Sequence, residues 1–333
     1  MPELSLLVLA VIFLAVLFDF SNGFNDTANS IATVVSTRVM SPMAAVLMAA
    51  ALNFAGAFFS TSVAGTIGKG IVSPGAVTML TIVSALIVAT IWNVVLTLLG
   101  LPISASHALI GGIIGAALVA HGPSVLQIGG ILKILLSLLI SPLLGLGVGF
   151  FFMVLLYWIF HRTSPTRVNK HFRRLQIFSA AFMAFSHGSN DAQKSMGIIT
   201  LALFSTGVIS TFHVPVWVIA ICALAMAVGT ITGGWKVIRT MGARMMKLQP
   251  VHGFAAETAA AMVILLASAV GAPVSTTHVI ATSIMGVGAS RRLSAVRWGV
   301  ASNIVLAWVF TLPLTALGAA AVYFILNLFF QGA

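Results

Sequence analysis

The sequence contains very few charged residues. Asp, Glu, Lys and Arg together make up 6% of its 333 residues, whereas 60% of the chain is hydrophobic. A soluble domain carries about a quarter charged residues, so this composition cannot cover a water-soluble surface. The deficit excludes a soluble globular protein and predicts an all-α polytopic membrane protein, because helices satisfy their own backbone hydrogen bonds in lipid.

Acidic residues are scarcer than basic ones, with 5 Asp and Glu against 16 Lys and Arg and a formal net charge of +11. In a soluble protein this excess would indicate a nucleic-acid partner. Here the bases lie in short segments between apolar runs, most densely in 161–174, which is typical of cytoplasmic loops. We expect a multi-pass protein of the plasma membrane with no nucleic-acid partner.

Residue types and motifs that the sequence lacks exclude further classes of function. The single cysteine, Cys222, excludes an internal disulfide. There is no Gly-x-Ser-x-Gly elbow and no Gly-x-x-x-x-Gly-Lys loop, which argues against a hydrolase and an ATPase. The 8 histidines show no spacing that identifies a metal site. The chain is therefore predicted not to be an enzyme and to have no resident cofactor. Its N-terminal apolar run lacks a basic n-region and is predicted to be a first transmembrane helix.

Two matching polar segments interrupt this apolar sequence, at 20–30 and 185–195. They share the frame Phe-Ser-x-Gly-x-Asn-Asp-x-x-x-Ser. A carboxylate beside a carboxamide is costly in lipid unless something binds there. In one interpretation these residues cap broken helices; in the other they bind a hard cation through carboxylate and amide oxygens. The candidates for the ion side are Asn25, Asp26, Asn29, Asn190 and Asp191.

Two Pro-x-Ser-x-(Ser/Thr)-His turns precede short apolar pieces that suit one arm of a re-entrant hairpin. Either they are simply well-capped helix starts, or their N–H groups and hydroxyls bind a tetrahedral oxyanion. The two histidines could donate to the anion, carry a proton or bond to a backbone carbonyl. The candidates for the anion side are Ser104, Ser106, His107, Ser275, Thr276, Thr277 and His278.

The chain is predicted to contain two homologous halves, 1–160 and 175–333, joined by the basic linker 161–174. Pro102 and Pro142 are matched at one common offset by Pro273 and Pro313. Segments 4–36 and 175–206 are too long for one crossing and polar in the middle, so we expect helices broken there. An odd number of crossings per half would give inverted-topology repeats with a site near the bilayer midplane. We expect 10–12 passes and re-entrant arms.

One feature conflicts with this topology. If 162–174 is cytoplasmic and both hairpins are re-entrant, Arg291, Arg292 and Arg297 fall on the outside, against the positive-inside bias.

Three further charged residues lie in apolar sequence. Lys194 stands where the first copy has Asn29; either it snorkels to a headgroup or it supplies a fixed positive charge beside Asp191. Asp19 and Glu257 are each either locally paired or carriers of a proton, because burial favours the neutral form of a carboxyl. We include all three with the residues of ion coupling.

On these residues the chain resembles the inorganic phosphate transporter (Pit) family, bacterial low-affinity type. The duplicated element Gly-x-Asn-Asp-x-x-Asn occupies 23–29 and, with Lys194 in its last place, 188–194; stretches 250–257 and 273–278 also resemble the family's. The resemblance implies an inverted-repeat transporter that forms a homodimer. It places phosphate between the hairpin tips and the broken helices, with the Asn-Asp residues on the ion side and the Ser and Thr residues of the two turns on the phosphate side.

The net charge of the two aspartates with bound phosphate indicates which ion is coupled to transport. Hydrogen phosphate with Asp26 and Asp191 carries about −4, which a low-dielectric site does not tolerate without cations. Sodium-coupled relatives keep Asn in the last place of both copies, whereas Lys194 supplies one positive charge permanently. We expect proton-coupled import of phosphate, either alone or as a complex with Mg²⁺ or another divalent metal held by Asp26 and Asp191. The alternatives are sodium-coupled phosphate transport, a sulfate permease of the same fold and a passive anion channel.

Overall fold

The computed structural model describes residues 6–73 and 77–330, which fold into a helical bundle. Five of the described helices are long and apolar enough to cross a membrane, or up to seven if each of two bent helix pairs is one span. These features confirm an all-α polytopic protein. The helices are α1 (Leu6–Ser36), α2 (Pro42–Ala57), α3 (Ser62–Gly70), α4 (Met79–Leu99), α5 (Ala105–His121), α6 (Ile128–Phe160), α7 (Pro165–Ser205), α8 (Val216–Thr232), α9 (Trp235–Arg239), α10 (Pro250–Ala269), α11 (Thr276–Arg291) and α12 (Trp298–Phe330).

The Asn-Asp segments do not break their helices, contrary to the prediction from sequence. α1 and α7 continue without interruption through both polar segments. Their polar side chains find partners on neighbouring helices, so the backbone keeps its own hydrogen bonds. The breaks lie instead between α2 and α3, which meet at 70°, and after α8, where the chain bends by 65° into the segment that contains α9.

The basic segment 161–174 is mostly helical and is not the loop that its composition suggested. α6 ends at Phe160 and α7 begins at Pro165, a residue that suits the first turn of a helix. α6 and α12 also continue through Pro142 and Pro313. The division of the chain into halves 1–160 and 175–333 stays a prediction.

α1 and α7 run antiparallel through the centre of the bundle. At one end Thr37 donates to Gln176 Oε1 over 2.8 Å. At the other end Ser195 donates to Asp19 Oδ1 over 2.6 Å. The two Asn-Asp segments therefore lie side by side at mid-length, which places the site inside the protein.

Close helix crossings occur twice in equivalent form, α1 with α8 and α7 with α2. At four glycines a Cβ atom would lie 2.1–2.2 Å from a carbonyl oxygen of the facing helix. Only glycine permits such an approach. The glycines and the residues they face are Gly23 with Met226, Gly188 with Asn53, Gly56 with Phe185, and Gly229 with Phe20.

Two helical hairpins, α4–α5 and α10–α11, reach into the bundle with their tips. Ser73, which precedes α4, donates its N–H to Val125, which follows α5, over 3.0 Å. Gln249, just before α10, and Arg291, at the end of α11, line one cavity. Each hairpin therefore enters and leaves at the same end of the bundle, as expected of a re-entrant pair.

The end of the bundle that holds Arg38, Arg173, Arg244, Arg291 and Arg297 is called the basic end below. Arg173 donates to Arg38 O over 2.8 Å, Arg297 Nη1 to Arg244 O over 3.5 Å, and Arg291 lines a cavity with residues of 160–169. The predicted conflict of charges was wrong, because Arg291 and Arg297 lie at the same end as the basic segment 161–174.

Candidate functional site

Two aspartates occupy the centre of the site. Asp26 of α1 and Asp191 of α7 are each 1% exposed. The hydroxyl of Thr276 lies between them, 3.4 Å from Asp26 Oδ2 and 3.2 Å from Asp191 Oδ2. The antiparallel pairing of α1 with α7 thus brings together two like charges, which is unfavourable in a buried site without a compensating cation.

The N-terminus of α11 points at these carboxylates. Ser275 is its N-cap and accepts from the N–H of His278. Thr277 donates to Asp26 Oδ1 over 2.9 Å, and Asn29 Nδ2 donates to Thr277 Oγ1 over 3.1 Å. The predicted anion and ion sides therefore meet here, at a helix end whose partial positive charge favours anions.

The tip of the first hairpin takes a different position. Ser104 is the N-cap of α5, and its Oγ lies 2.7 Å from His107 Nδ1. Ser106 donates to Val274 O over 3.2 Å, so it joins the two hairpin tips. Among the described contacts, neither serine reaches a carboxylate. The two tips are thus unequal in this conformation.

His107 and His278 pack against each other between the hairpin tips. Their ring centroids are 4.7 Å apart, and His278 also stacks on Trp308 at 3.7 Å. The indole of Trp308 donates to Pro102 O over 2.8 Å. His278 Nε2 is buried without a hydrogen-bond partner among the described residues. These contacts seal the interface between the tips.

The side chains of Asn25 and Asn190, each next to one of the two aspartates, form hydrogen bonds with the hairpins. Asn25 Nδ2 donates to Ile103 O over 3.3 Å, and its Oδ1 accepts from Thr97 over 3.1 Å. Asn190 Oδ1 accepts from the N–H of Val274 over 3.4 Å. Their amide oxygens, predicted as cation ligands, are thus occupied by the hairpins, whereas Asn29 Oδ1 is buried without a partner in the described part of the chain.

Lys194 forms a buried ion pair. Its Nζ lies 2.7 Å from Asp191 Oδ1, and both side chains are 1% exposed. This contact rules out a lysine that snorkels to the headgroups. An ammonium has three N–H donors, and Asp191 is its one acceptor among the described residues. Two donors therefore remain for another group in the site.

His187 is a site residue that the sequence-based prediction missed. Its Nε2 lies 3.4 Å from Asp26 Oδ2 and 3.6 Å from Asp191 Oδ2, while Nδ1 lies 3.0 Å from Asn53 Oδ1. The signal was present at the variable place of the frame Phe-Ser-x-Gly, which holds Asn22 in the first copy. Asn22 also reaches the centre, since its Nδ2 donates to Asp191 Oδ2 over 3.2 Å.

The two aspartates and His187 form a group that could hold a metal ion. Each offers one ligand atom, and these three atoms lie within 4.8 Å of one another. Imidazole nitrogen with carboxylate oxygens suits first-row divalent metals, and carboxylates alone suit Mg²⁺. The geometry is compatible with the divalent cation expected from sequence, with one ligand more than predicted.

Asp19 and Glu257 lie outside this centre. Ser195 is the hydrogen-bond donor to Asp19, and Glu257 accepts from Thr33, Gln176 and Ser179. Both carboxyls are fully buried. The structure therefore places these two carboxyls outside the cluster of Asp26, Asp191 and His187, and their part in ion coupling stays a prediction.

A buried, charged site enclosed by two hairpin tips inside an apolar helical bundle defines a membrane transport protein for a small polar solute. The chain belongs to the phosphate transporter family, whose profile matches residues 22–319. It is accordingly a multi-pass protein of the plasma membrane and not an enzyme.

Relatives and a solved structure support this assignment. The chain is 48% identical over 324 residues to a probable low-affinity inorganic phosphate transporter of Rhizobium meliloti, covering 97% of each chain. It is 45% identical to a protein of the same description from Bacillus subtilis, covering 99% of this chain and 100% of the other. A solved structure described as the sodium-dependent phosphate transporter matches with a TM-score of 0.90 at 30% identity, covering 97% of this chain and 100% of that one.

Proposed function

We propose that this protein imports inorganic phosphate in symport with protons. The family assignment supports phosphate over sulfate. The site chemistry supports the same choice, because hydrogen phosphate has an O–H that a carboxylate can accept, whereas sulfate has none. Asp26 of α1 and Asp191 of α7, which lie against the N-terminus of α11, are the acceptors for that hydrogen.

Phosphate would bind at the hydroxyls that now contact the aspartates. Thr276 donates to Asp191, and Thr277 donates to Asp26. Rotation of these hydroxyls toward an anion, with the N–H groups of α11 behind them, would give charge-assisted hydrogen bonds. Ser104 and Ser106 would complete the shell from the other hairpin tip.

The buried pair of Lys194 and Asp191 is the observation that carries proton coupling. Its Nζ–Oδ1 distance of 2.7 Å holds the ammonium of Lys194 beside Asp191, next to the place where we propose that phosphate binds. That charge takes the place of one bound cation, so fewer mobile cations are needed. Sodium coupling is the second candidate, because the structural relative is described as sodium-dependent.

A divalent cation would travel with phosphate as substrate. Asp26 and Asp191 would be its ligands, joined by Nε2 of His187, and the remaining positions would be filled by phosphate oxygens. Transport of a metal–phosphate complex lowers the net charge carried, which suits a site that already contains two carboxylates.

We further propose that the two halves form an inverted repeat with the basic end in the cytoplasm. The antiparallel course of α1 and α7 and the paired glycine crossings support the repeat. The positive-inside bias supports the orientation. In such a fold the site opens alternately by movement of one repeat unit against the other.

Uptake of labelled phosphate into proteoliposomes tests the proposal, with pH, sodium and magnesium varied independently. We expect accumulation that follows the pH gradient, collapses with a protonophore and does not require sodium. A sodium requirement with no effect of the protonophore would overturn proton coupling. Strong competition by sulfate would overturn the selectivity argument, and failure to accumulate phosphate under any gradient would indicate a channel.

A further inference from the structure

Two buried carboxyls have no cationic partner. Asp19 and Glu257 are both 0% exposed, and the ion pairs of the described residues involve neither of them. A buried, unpaired carboxylate is strongly disfavoured, so such a group holds a proton or binds a cation. Their place in the fold distinguishes these possibilities.

The two acids lie on opposite sides of the central site along α1. Asp19, Asp26 and Thr33 follow one another at intervals of seven residues, which is about two turns or ~10 Å of helix each. Thr33 donates to Glu257. The line from Asp19 past Asp26 to Glu257 therefore extends over ~21 Å, about two thirds of a ~30 Å hydrocarbon core.

Glu257 is connected to the basic end by hydrogen bonds. It accepts from Gln176 Nε2 over 3.3 Å, and Gln176 Oε1 accepts from the partly exposed Thr37 over 2.8 Å. Thr33, Gln176 and Ser179 all direct hydrogen-bond donors at this carboxyl, an arrangement that suits a group that exchanges a proton better than a ligand of a metal cation. From α1 and α7 only neutral side chains contact this carboxyl.

The neighbours of Glu257 can accommodate both of its protonation states. Ser179 donates to the carboxyl, but its Oγ also lies 3.1 Å from Gln176 O. When Glu257 carries a proton, Ser179 can turn its own hydrogen to that carbonyl and accept the proton of the acid. The site thus gains or loses a proton without leaving a buried group unpaired.

Asp19 lies toward the opposite end and has fewer partners. Ser195 donates to its Oδ1 over 2.6 Å, while Oδ2 has no hydrogen-bond partner among the described residues. The thiol of Cys222 faces it from α8. The charged groups that interact electrostatically with it are Asp191 and Lys194 of α7.

We propose that Asp19 and Glu257 are the proton-binding sites of the transport cycle, one on each side of the phosphate site. During import, a proton leaves water at the opposite end and forms an O–H bond with the Asp19 carboxylate. Asp19 then releases its proton to the phosphate in the central site, which acts as the proton carrier, and phosphate gives a proton to the Glu257 carboxylate. Glu257 releases that proton to water at the basic end, so both carboxylates are restored and one proton enters. The inference rests on the proposed proton symport and adds the residues that carry the protons.

The experiment compares net accumulation with exchange in proteoliposomes. Phosphate exchange at equal pH on both sides requires no net proton movement, whereas accumulation under a pH gradient does. External pH is kept constant and internal pH is varied, so that the ionic form of external phosphate does not change. The variants are Glu257→Gln and Asp19→Asn. Thr200→Val is the matched control, because Thr200 is a buried polar residue of α7 whose hydroxyl has no partner in the described part of the chain.

Each coupled proton contributes about tenfold accumulation per pH unit. We expect Glu257→Gln and Asp19→Asn to lose about tenfold accumulation at one pH unit, with exchange within about twofold of wild type. Unchanged accumulation in both variants would overturn the inference. If the wild type itself ignores the pH gradient, the proposed symport has failed, which is a distinguishable result.

Infrared spectroscopy gives a second readout that does not depend on transport. A protonated buried carboxyl has a carbonyl stretch distinct from that of a carboxylate. We expect this band in the wild-type protein, its loss with rising pH, and its reduction in Glu257→Gln. If a variant does not fold, the pH titration of the band in the wild-type protein tests the inference instead. Absence of a protonated-carboxyl band at every pH would overturn the inference.

Discussion

Replacement of Lys194 by Asn tests which ion compensates the charge of the site. The substitution gives the second copy of the motif the residue that the first copy has at Asn29. It removes the ammonium 2.7 Å from Asp191 and leaves an amide with an oxygen that can bind a cation. We expect Lys194→Asn to convert sodium-independent uptake into uptake that requires sodium.

The magnitude follows from burial. Asp191 and Lys194 are each 1% exposed, and removal of one partner from a buried ion pair costs about 3–5 kcal/mol. At about 1.4 kcal/mol for each tenfold change, phosphate binding without sodium should weaken by about 10²- to 10⁴-fold. A sodium ion bound beside Asp191 would restore the missing charge and most of that loss.

The assay is uptake of labelled phosphate against sodium concentration, with the pH gradient held constant. Lys236→Asn is the matched control, because Lys236 is exposed and contacts Leu98 O outside the site; it should keep the ion requirement of wild type. Lys194→Asn protein that still accumulates phosphate on a pH gradient alone, at wild-type rate, would refute the charge argument. Inactive protein with and without sodium would refute the idea that an amide there binds sodium.

Two further predictions concern substrate binding and packing. Thr277→Val removes the hydroxyl that donates to Asp26 over 2.9 Å, so the phosphate concentration for half-maximal uptake should rise about 10-fold or more. Thr277→Ser keeps the hydroxyl and should stay near the wild-type value. Equal values for both variants would exclude the hydroxyl from phosphate binding. Gly188→Ala places a Cβ 2.2 Å from Asn53 O and should lower the free energy of unfolding by about 1–3 kcal/mol or more, as measured by thermal unfolding in detergent. Gly65→Ala, with open space around the new Cβ, should be neutral. An unaffected Gly188→Ala protein would mean that the two helices can move apart at no cost.

Much of the fold and of the site could be predicted from sequence. The composition is decisive for a membrane protein, because few charges cannot cover a soluble surface. The repeated Asn-Asp frame located the central aspartates, since such a pattern is costly in lipid without a function. The Pro-x-Ser-x-(Ser/Thr)-His turns located the hairpin tips, because proline and serine favour helix starts.

The position of the helix breaks could not be predicted in this way. A polar stretch in an apolar run has two solutions in lipid: the helix unwinds, or neighbouring helices supply partners. Gln193 illustrates the second, because its Oε1 accepts from the N–H groups of Val63 and Ala64 over 2.8 and 3.2 Å. The N–H groups that need an acceptor thus belong to the N-terminus of α3, and the segment Ser60-Thr61-Ser62 at this break does not resemble the Asn-Asp frame. Only the packing of α7 against α3 reveals this.

The divergence of the two motif copies is concentrated at the groups that face the carboxylates. Asn22 and Asn29 of the first copy correspond to His187 and Lys194 of the second, and these two lie 3.6 and 2.7 Å from Asp191. The first helix therefore presents amides to the site where the second presents groups that carry or can take up positive charge. If the two motif copies are halves of one repeat, as we propose, the second copy provides within the chain the positive charge that the first copy would have to bind from solution. In the proposed mechanism, this asymmetry lets proton-binding groups outside the centre complete the charge balance of phosphate transport without a second bound cation.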